Sequence, residues 1–301
     1  MDGAMTRYRT ADVAVDGGML RVGVWDGPDA NAPAVLLVHG VTASHLSWPL
    51  VADRLPEARV IAPDLRGRGR SNDVGGRAGL TAHARDLVAV LDALDVGSAV
   101  VVGHSMGAFV ALVFADLHPG RVERLVLVDG GLPLDLPDGL SSDEVIQLVL
   151  GPTAERLSMR FASVGDYLDF WRRHPAFARD WSPALEAYLA YDLVGVEPDL
   201  HPSTSYATVA EDSVDQNTGT AISDALAAMR RPTLLLTAER GLLDQVPPLY
   251  SGERLPALLR THPRLRHEAV ADVNHYTIVL SARGADAVAA AIRGELAAAD
   301  R

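Results

Sequence analysis

The chain has 301 residues, 48% hydrophobic and 22% charged, with a formal net charge of −12 and no cysteine. That length and balance suit a globular α/β core with room for an insertion, and they exclude a disordered chain. An acidic balance without a lysine- or arginine-rich block argues against nucleic acid or an anionic membrane as partner, and the missing cysteine excludes disulfides, thiolate catalysis and thiolate metal sites.

Taken in order, Thr10–Val15 and Met19–Trp25 are β-rich runs joined by Asp16-Gly17-Gly18, residue types that make a hairpin turn. Ala34–Val38 is a buried strand ending in His39-Gly40-Val41-Thr42, and Val60–Ala62 is another, ending in Pro63-Asp64-Leu65-Arg66-Gly67-Arg68-Gly69-Arg70-Ser71. The three arginines of that run read as a surface loop. Leu80, Ala84, Leu87, Leu91 and Leu94 alternate spacings of four and three, which predicts an amphipathic helix.

Ala99–Val102 is a short apolar strand that runs into Gly103-His104-Ser105-Met106-Gly107, after which a helical run begins at Ala108. A serine in G-x-S-x-G between strand and helix is a nucleophile elbow, a turn so sharp that Ser105 is held in a strained conformation. Gly103 and Gly107 are required because a Cβ at either position would collide across the turn. The Met106 N–H and the helix N-terminus then lie where negative charge can be stabilised.

Leu125–Val128 is a further strand, ending in Asp129-Gly130-Gly131. From 132 to 229 the strand-like runs vanish, helical stretches alternate with prolines, and most of the chain's aromatic residues collect. Alternation then resumes with a strand over Thr233–Thr237, a helix over Ser251–Arg260, a strand over Arg266–Val270 ending in Asn274-His275, and a last helix using Val288, Ile292 and Leu296. These patterns predict a largely parallel, eight-stranded sheet covered on both faces. The core is 1–131 plus 230–301, with 132–229 inserted as a helical cap over the carboxyl ends of the strands.

His39-Gly40, Asp64–Ser71, Gly103–Gly107 and the late His275 together resemble the α/β-hydrolase superfamily, over about two-thirds of the chain. The resemblance implies a serine nucleophile at Ser105 and, from the family's order of Ser, then acid, then His, a base at His275 directly after the last strand. His262 and His267 lie before and within that strand, and His104 points along the elbow in a packing or hydrogen-bonding role. Asn274 stands where the family usually has Gly. The acid has two candidate sites: Asp129, at the end of the strand before the cap, and Asp244, three residues later than the family's usual position, which falls on Gly241. Glu239 is a minor third. The implied oxyanion hole combines the N–H groups of Met106 and Val41, with His39 bracing the Val41 loop. His45, Trp48 and Leu132 are candidate pocket residues, followed by Leu134, Leu136 and Leu140, and some cap aromatics are expected to wall the pocket.

The function so implied is hydrolysis of a carboxylic ester or lactone of an apolar or aromatic substrate through an acyl-enzyme, with no cofactor and no metal. The same triad could cleave a C–C bond in a β-diketone or act as a perhydrolase, and a non-catalytic ligand receptor is the alternative of another class. Epoxide hydrolase and dehalogenase chemistry is disfavoured because it needs Asp at the nucleophile position. The runs T-R-Y-R-T-A-D-V, P-D-L-R-G-R-G-R-S-N and V-L-V-D-G-G-L-P are also similar to actinobacterial proteins that include zearalenone lactonases, which open a resorcylic macrolactone. The N-terminus lacks an apolar h-region and no run reaches transmembrane length, so a cytoplasmic protein is expected, acting alone or as a homo-oligomer on a small substrate.

Overall fold

In the computed structural model, which describes residues 7–134, 139–141, 143–144, 146, 148, 155–252 and 254–299, the apolar runs become the centre of one twisted sheet. Its strands are β1 (Tyr8–Val15), β2 (Gly18–Trp25), β3 (Ala34–Val38), β4 (Arg59–Pro63), β5 (Ala99–His104) and β6 (Val122–Val128). A separate hairpin follows, β7 (Leu193–Val196) and β8 (Asp199–Pro202), and then β9 (Thr233–Arg240) and β10 (Leu265–Asn274) complete the main sheet. The eight strands lie in the order β1-β2-β4-β3-β5-β6-β9-β10. Only β2 runs against the others, pairing antiparallel with both β1 and β4; the remaining pairs are parallel.

Successive side chains of a strand point to opposite faces, so the continuous apolar runs feed two separate cores. Val35, Leu37, Val100, Val102, Val126 and Val128 pack in one layer, and Leu36, Val38, Val101, Leu125 and Leu127 in the other. On the first face lie α1 (Pro49–Ala52) and, from the chain's end, α9 (Thr277–Leu280) and α10 (Ala282–Ala299). The second face is covered by α2 (Leu80–Ala93), α3 (Met106–Leu117), α7 (Ala221–Ala227) and α8 (Arg254–Thr261). The predicted helix at Leu80 thus starts where its apolar period starts.

Between β6 and β9 the chain forms α4 (Val164–Arg172), α5 (Pro183–Tyr191) and α6 (Tyr206–Thr218). The expectation of a helical segment without strands is corrected by β7 and β8, whose four paired residues on each side of Glu197-Pro198 are too few to show an alternating pattern. Phe161, Tyr167, Phe170, Trp171 and Phe177 pack largely edge-on against one another, and the buried Arg156 guanidinium, which pairs with Asp192, lies 5.9 Å from the Tyr167 ring centroid and 5.2 Å from that of Trp171. These aromatics are continuous with the core on the first face of the sheet. Among the described residues no helix is long and apolar enough to cross a membrane.

Candidate active site

The central strand β5 delivers Ser105 at the carboxyl end of the sheet, and α3 begins at the next residue. The turn between them is as tight as the motif demands: a Cβ on Gly103 would stand 2.1 Å from the Gly107 carbonyl oxygen, and one on Gly107 would stand 2.1 Å from that of Val38. Ser105 takes φ 55°, ψ −124°, a region where an L-residue is strained. The strain is held in place from both sides, since Ser105 N–H donates to Val128 O (3.0 Å) and Ser105 O accepts from Ala108 N (2.9 Å).

His275, at the end of β10, reaches back so that Nε2 lies 3.0 Å from Ser105 Oγ and Nδ1 lies 2.6 Å from Asp129 Oδ2. A carboxylate only accepts, so the imidazole proton sits on Nδ1 and the Nε2 lone pair faces the serine hydroxyl. The other oxygen of Asp129, Oδ1, accepts from Ala238 N–H of the neighbouring strand β9 (3.1 Å), which fixes the carboxylate plane. Asp244 does not touch His275; it pairs with Arg240 Nε (2.6 Å) and accepts from Asn274 Nδ2 (3.0 Å). Glu239 is turned away and accepts from Asp272 N–H (2.7 Å). His267 lies within β10 and meets Thr237 Oγ1 (2.9 Å).

Asn274 explains its departure from the family's Gly. Its Oδ1 accepts from Tyr276 N (3.0 Å) and Thr277 N (2.9 Å), while Thr277 Oγ1 accepts from Asn274 N (2.8 Å), a reciprocal bonding that opens α9 and fixes the turn carrying His275.

Two further histidines support the site without facing it. His104 Nε2–H donates to the backbone carbonyl of His275 (2.8 Å), and burial, with the nearby His275 imidazole, pushes its pKa down to about 3. Leu65 N–H donates to His39 Nε2 (2.9 Å), so the ring proton is on Nδ1 and donates to Gly40 O (2.8 Å). That carbonyl belongs to the peptide whose N–H is Val41's, so the neutral imidazole aims the Val41 N–H; burial holds His39 down to about 4.

Both rings are neutral when folded and would titrate near 6.5 when unfolded, so the unfolded chain binds more protons below that value. Stability should therefore be full above pH 6.5 and fall as pH drops toward 4, by about 3 kcal/mol for His39 alone. A pH series of thermal unfolding curves checks this. His104→Gln, which keeps an N–H for the His275 carbonyl and has no titrating ring, should show a shallower acid decline than wild type.

A cavity opens beside Ser105 and His275, lined by Val41 and Met106, by Phe109, Leu134, Ile146, Leu242 and Leu249, and by Ser213, Gln216 and Asn217 from α6. The last three recur at helical spacing, so one face of α6 supplies the polar side. Nothing in the sequence marked that face, because a polar helix surface looks the same whether it meets water or a ligand.

Of the expected pocket residues Leu134 lines the cavity, whereas His45, Trp48, Leu132 and Leu140 do not. His45 is buried, its Nδ1 donating to Asp64 Oδ1 (2.7 Å) and its Nε2 accepting from Tyr8 OH (2.8 Å), while Tyr191 OH donates to Asp64 Oδ2 (2.8 Å). Trp48 is buried edge-on against His104, with ring centroids 6.5 Å apart. Leu132 is buried beneath Tyr250, whose hydroxyl donates to its carbonyl (2.9 Å) and accepts from its N–H (3.2 Å). Leu136 lies outside the described residues. Among those described, the cavity is lined by no aromatic of the segment between β6 and β9; Tyr167 and Trp171 face Arg156, Tyr191 bonds Asp64 and Trp181 bonds Glu186.

The arginine-rich run is corrected too. Arg66 is buried and grips Asp86 with two bonds of 2.7 Å, Arg68 is fully buried, and only Arg70 is exposed.

The chain matches the profile of the alpha/beta hydrolase fold family over residues 33–282. Lipase LipV of Mycobacterium tuberculosis is 40% identical over 180 residues, 56% of this chain and 60% of LipV. An uncharacterised protein of the same organism aligns over 34% of this chain and 30% of its own length, so the chain spans about a third to three-fifths of these curated relatives. Among solved structures, E-2-(acetamidomethylene)succinate hydrolase is similar in fold, with a TM-score of 0.74 at 21% identity over 96% of this chain and 99% of that one. A thermophilic esterase from Thermogutta terrifontis has a TM-score of 0.67 at 25% identity over 97% and 99%.

Proposed function

Because the chain belongs to the alpha/beta hydrolase fold family, we propose that it is a serine hydrolase cleaving carboxylic esters of short apolar acyl groups through an acyl-enzyme. The observation that carries this reading is the hydrogen-bonded chain from Ser105 Oγ through His275 to Asp129, opening on a cavity. The names of LipV, a lipase, and of the Thermogutta esterase support the same bond type.

In this reading His275 Nε2 takes the hydroxyl proton as Ser105 Oγ attacks the ester carbonyl carbon. Asp129 stabilises the imidazolium that forms, and the N–H groups of Val41 and Met106 receive the oxyanion. Collapse expels the alcohol, which takes its proton from His275. Water, deprotonated by the same imidazole, then attacks the acyl carbon, and the acid leaves as Ser105 recovers its proton. Residues 132–229 act as the cap, with α6 contributing the polar wall of the cavity.

A second reading, opening of a macrolactone such as zearalenone, is favoured by the place of the acid, on the strand before that segment. The cavity at Ser105, about 50 Å³, favours the less bulky acyl group, and the names of LipV and of the Thermogutta esterase favour a simple ester. The short ester is therefore the substrate class adopted.

The test combines a fluorophosphonate label with a substrate panel. Wild type should take one phosphonyl group, mapped by mass spectrometry to Ser105, and should turn over p-nitrophenyl acetate or butyrate faster than the decanoate. Addition of one water to zearalenone at a comparable rate would reverse the substrate class. A protein that is neither labelled nor active on any ester would be a ligand-binding member of the fold.

A further inference from the structure

Arg68 lies in the loop after β4, fully buried. Its Nε donates to the carbonyl of Val41 (2.9 Å), its Nη1 to that of Arg66 (2.9 Å), and its Nη2 lies 3.7 Å from Met106 Sδ. The same Nη2 pairs with Asp212 of α6, itself buried. One planar guanidinium thus touches both residues whose N–H groups are assigned to the oxyanion, and its charge is balanced from the segment between β6 and β9. A fork of fixed geometry suits this task, because holding two loops at once is what a point charge on a flexible stem does poorly.

The partner is anchored in turn. Helix α2 is preceded in the cap position by Gly79, which has no side chain to cap the helix's free N–H groups. Helix α6 supplies the acceptors from outside: Glu211 takes Ala78 N–H (2.8 Å), Asp212 Oδ1 takes Gly79 N–H (2.6 Å) and Asp215 takes Leu80 N–H (2.7 Å). His83 Nε2 adds a bond to Asp212 Oδ1 (3.0 Å). Burial pushes the Asp212 carboxyl up, but the charges of Arg68 and His83 outweigh it and hold the group well below the usual carboxylate range. Interleaved with these acids on the same helix, Ser213, Gln216 and Asn217 line the cavity.

We propose that Arg68 is a positioning residue that sets the Val41 and Met106 donors relative to one another. Its pairing with Asp212 makes that setting depend on α6 being docked. The inference rests on the serine-hydrolase reading. Donors displaced by a fraction of an ångström lose transition-state stabilisation while ground-state binding changes little, so the signature is in kcat rather than KM.

The experiment measures kcat, KM and the fluorophosphonate-titrated fraction for Arg68→Lys, Asp212→Asn and the double variant, with a short aryl ester as substrate. Arg68→Lys keeps the charge facing Asp212 but lacks the fork, and should lower kcat per titrated site by about 10- to 100-fold with KM within about threefold. Asp212→Asn should lower it roughly tenfold, and the double variant should be no worse than Arg68→Lys, as expected of residues acting as a unit. If Arg68→Lys does not fold, Asp212→Asn carries the same comparison. Variants that keep kcat per titrated site within about twofold, even with a lower Tm or a smaller titrated fraction, would make Arg68 a purely structural residue and overturn the proposal. A wild type with neither label nor turnover would overturn the serine-hydrolase reading itself, and the inference with it.

Discussion

Replacing Ser105 by alanine is expected to lower kcat on a short aryl ester by about a million-fold and to leave the fold intact. Among the described residues the side chain bonds to His275 Nε2, whereas the bonds that hold the elbow together are made by the Ser105 backbone and survive the change. Alanine is no easier than serine at φ 55°, ψ −124°, so the strain is unchanged, and Tm should stay within about 2 °C of wild type. Glycine is different: Ser105→Gly should be equally inactive yet melt at higher temperature, because strain of about 1–3 kcal/mol is relieved at that position. Turnover and melting curves on the two variants separate chemistry from stability. An alanine variant retaining more than about 1% of kcat would remove Ser105 from the nucleophile role.

The parts of this molecule that were legible in the sequence are those fixed by local pattern. Ala34–Val38, Val60–Ala62, Ala99–Val102 and Leu125–Val128 read as strands because each is buried on both faces and so carries no polar residue. The elbow was legible because two glycines are needed within five residues, and their close contacts with Gly107 O and Val38 O show why. Contacts between distant segments left no such trace. Arg68 looked like a surface charge because its counter-charge, Asp212, sits in α6. His45 and Trp48 looked like pocket residues because the groups that bury them, Tyr8, Asp64 and His104, are apart from them in sequence. The hairpin β7–β8 carries no readable signal because Leu193–Val196 and Asp199–Pro202 are each four residues long, two turns of the alternation at most.

The choice of acid shows the same limit most sharply, and Asp129→Asn against Asp244→Asn tests it. Both residues follow a strand that ends beside His275, at β6 and β9, so spacing alone leaves either within reach. Side-chain direction separates them: Asp129 faces Nδ1 of the imidazole, and Asp244 faces Arg240 and Asn274. In Asp129→Asn the oxygen is expected to stay on Ala238 N–H, which needs an acceptor, so the amide NH₂ turns to His275 Nδ1. An N–H donor there forces the imidazole proton onto Nε2, which can then no longer accept from Ser105. That tautomer reversal should lower kcat by about ten thousand-fold with little change in KM, because shape and hydrogen bonding are otherwise kept. In Asp244→Asn a partly exposed pairing with Arg240 is weakened, worth about 1 kcal/mol or less, and kcat should fall no more than about fivefold. Steady-state kinetics on the two purified variants, each checked for an unchanged fluorescence melting profile, decides between them. If Asp129→Asn keeps kcat within about tenfold while Asp244→Asn loses a thousandfold, the loop after β9 delivers the acid, and Asp129 is only the residue that ties β6 to β9.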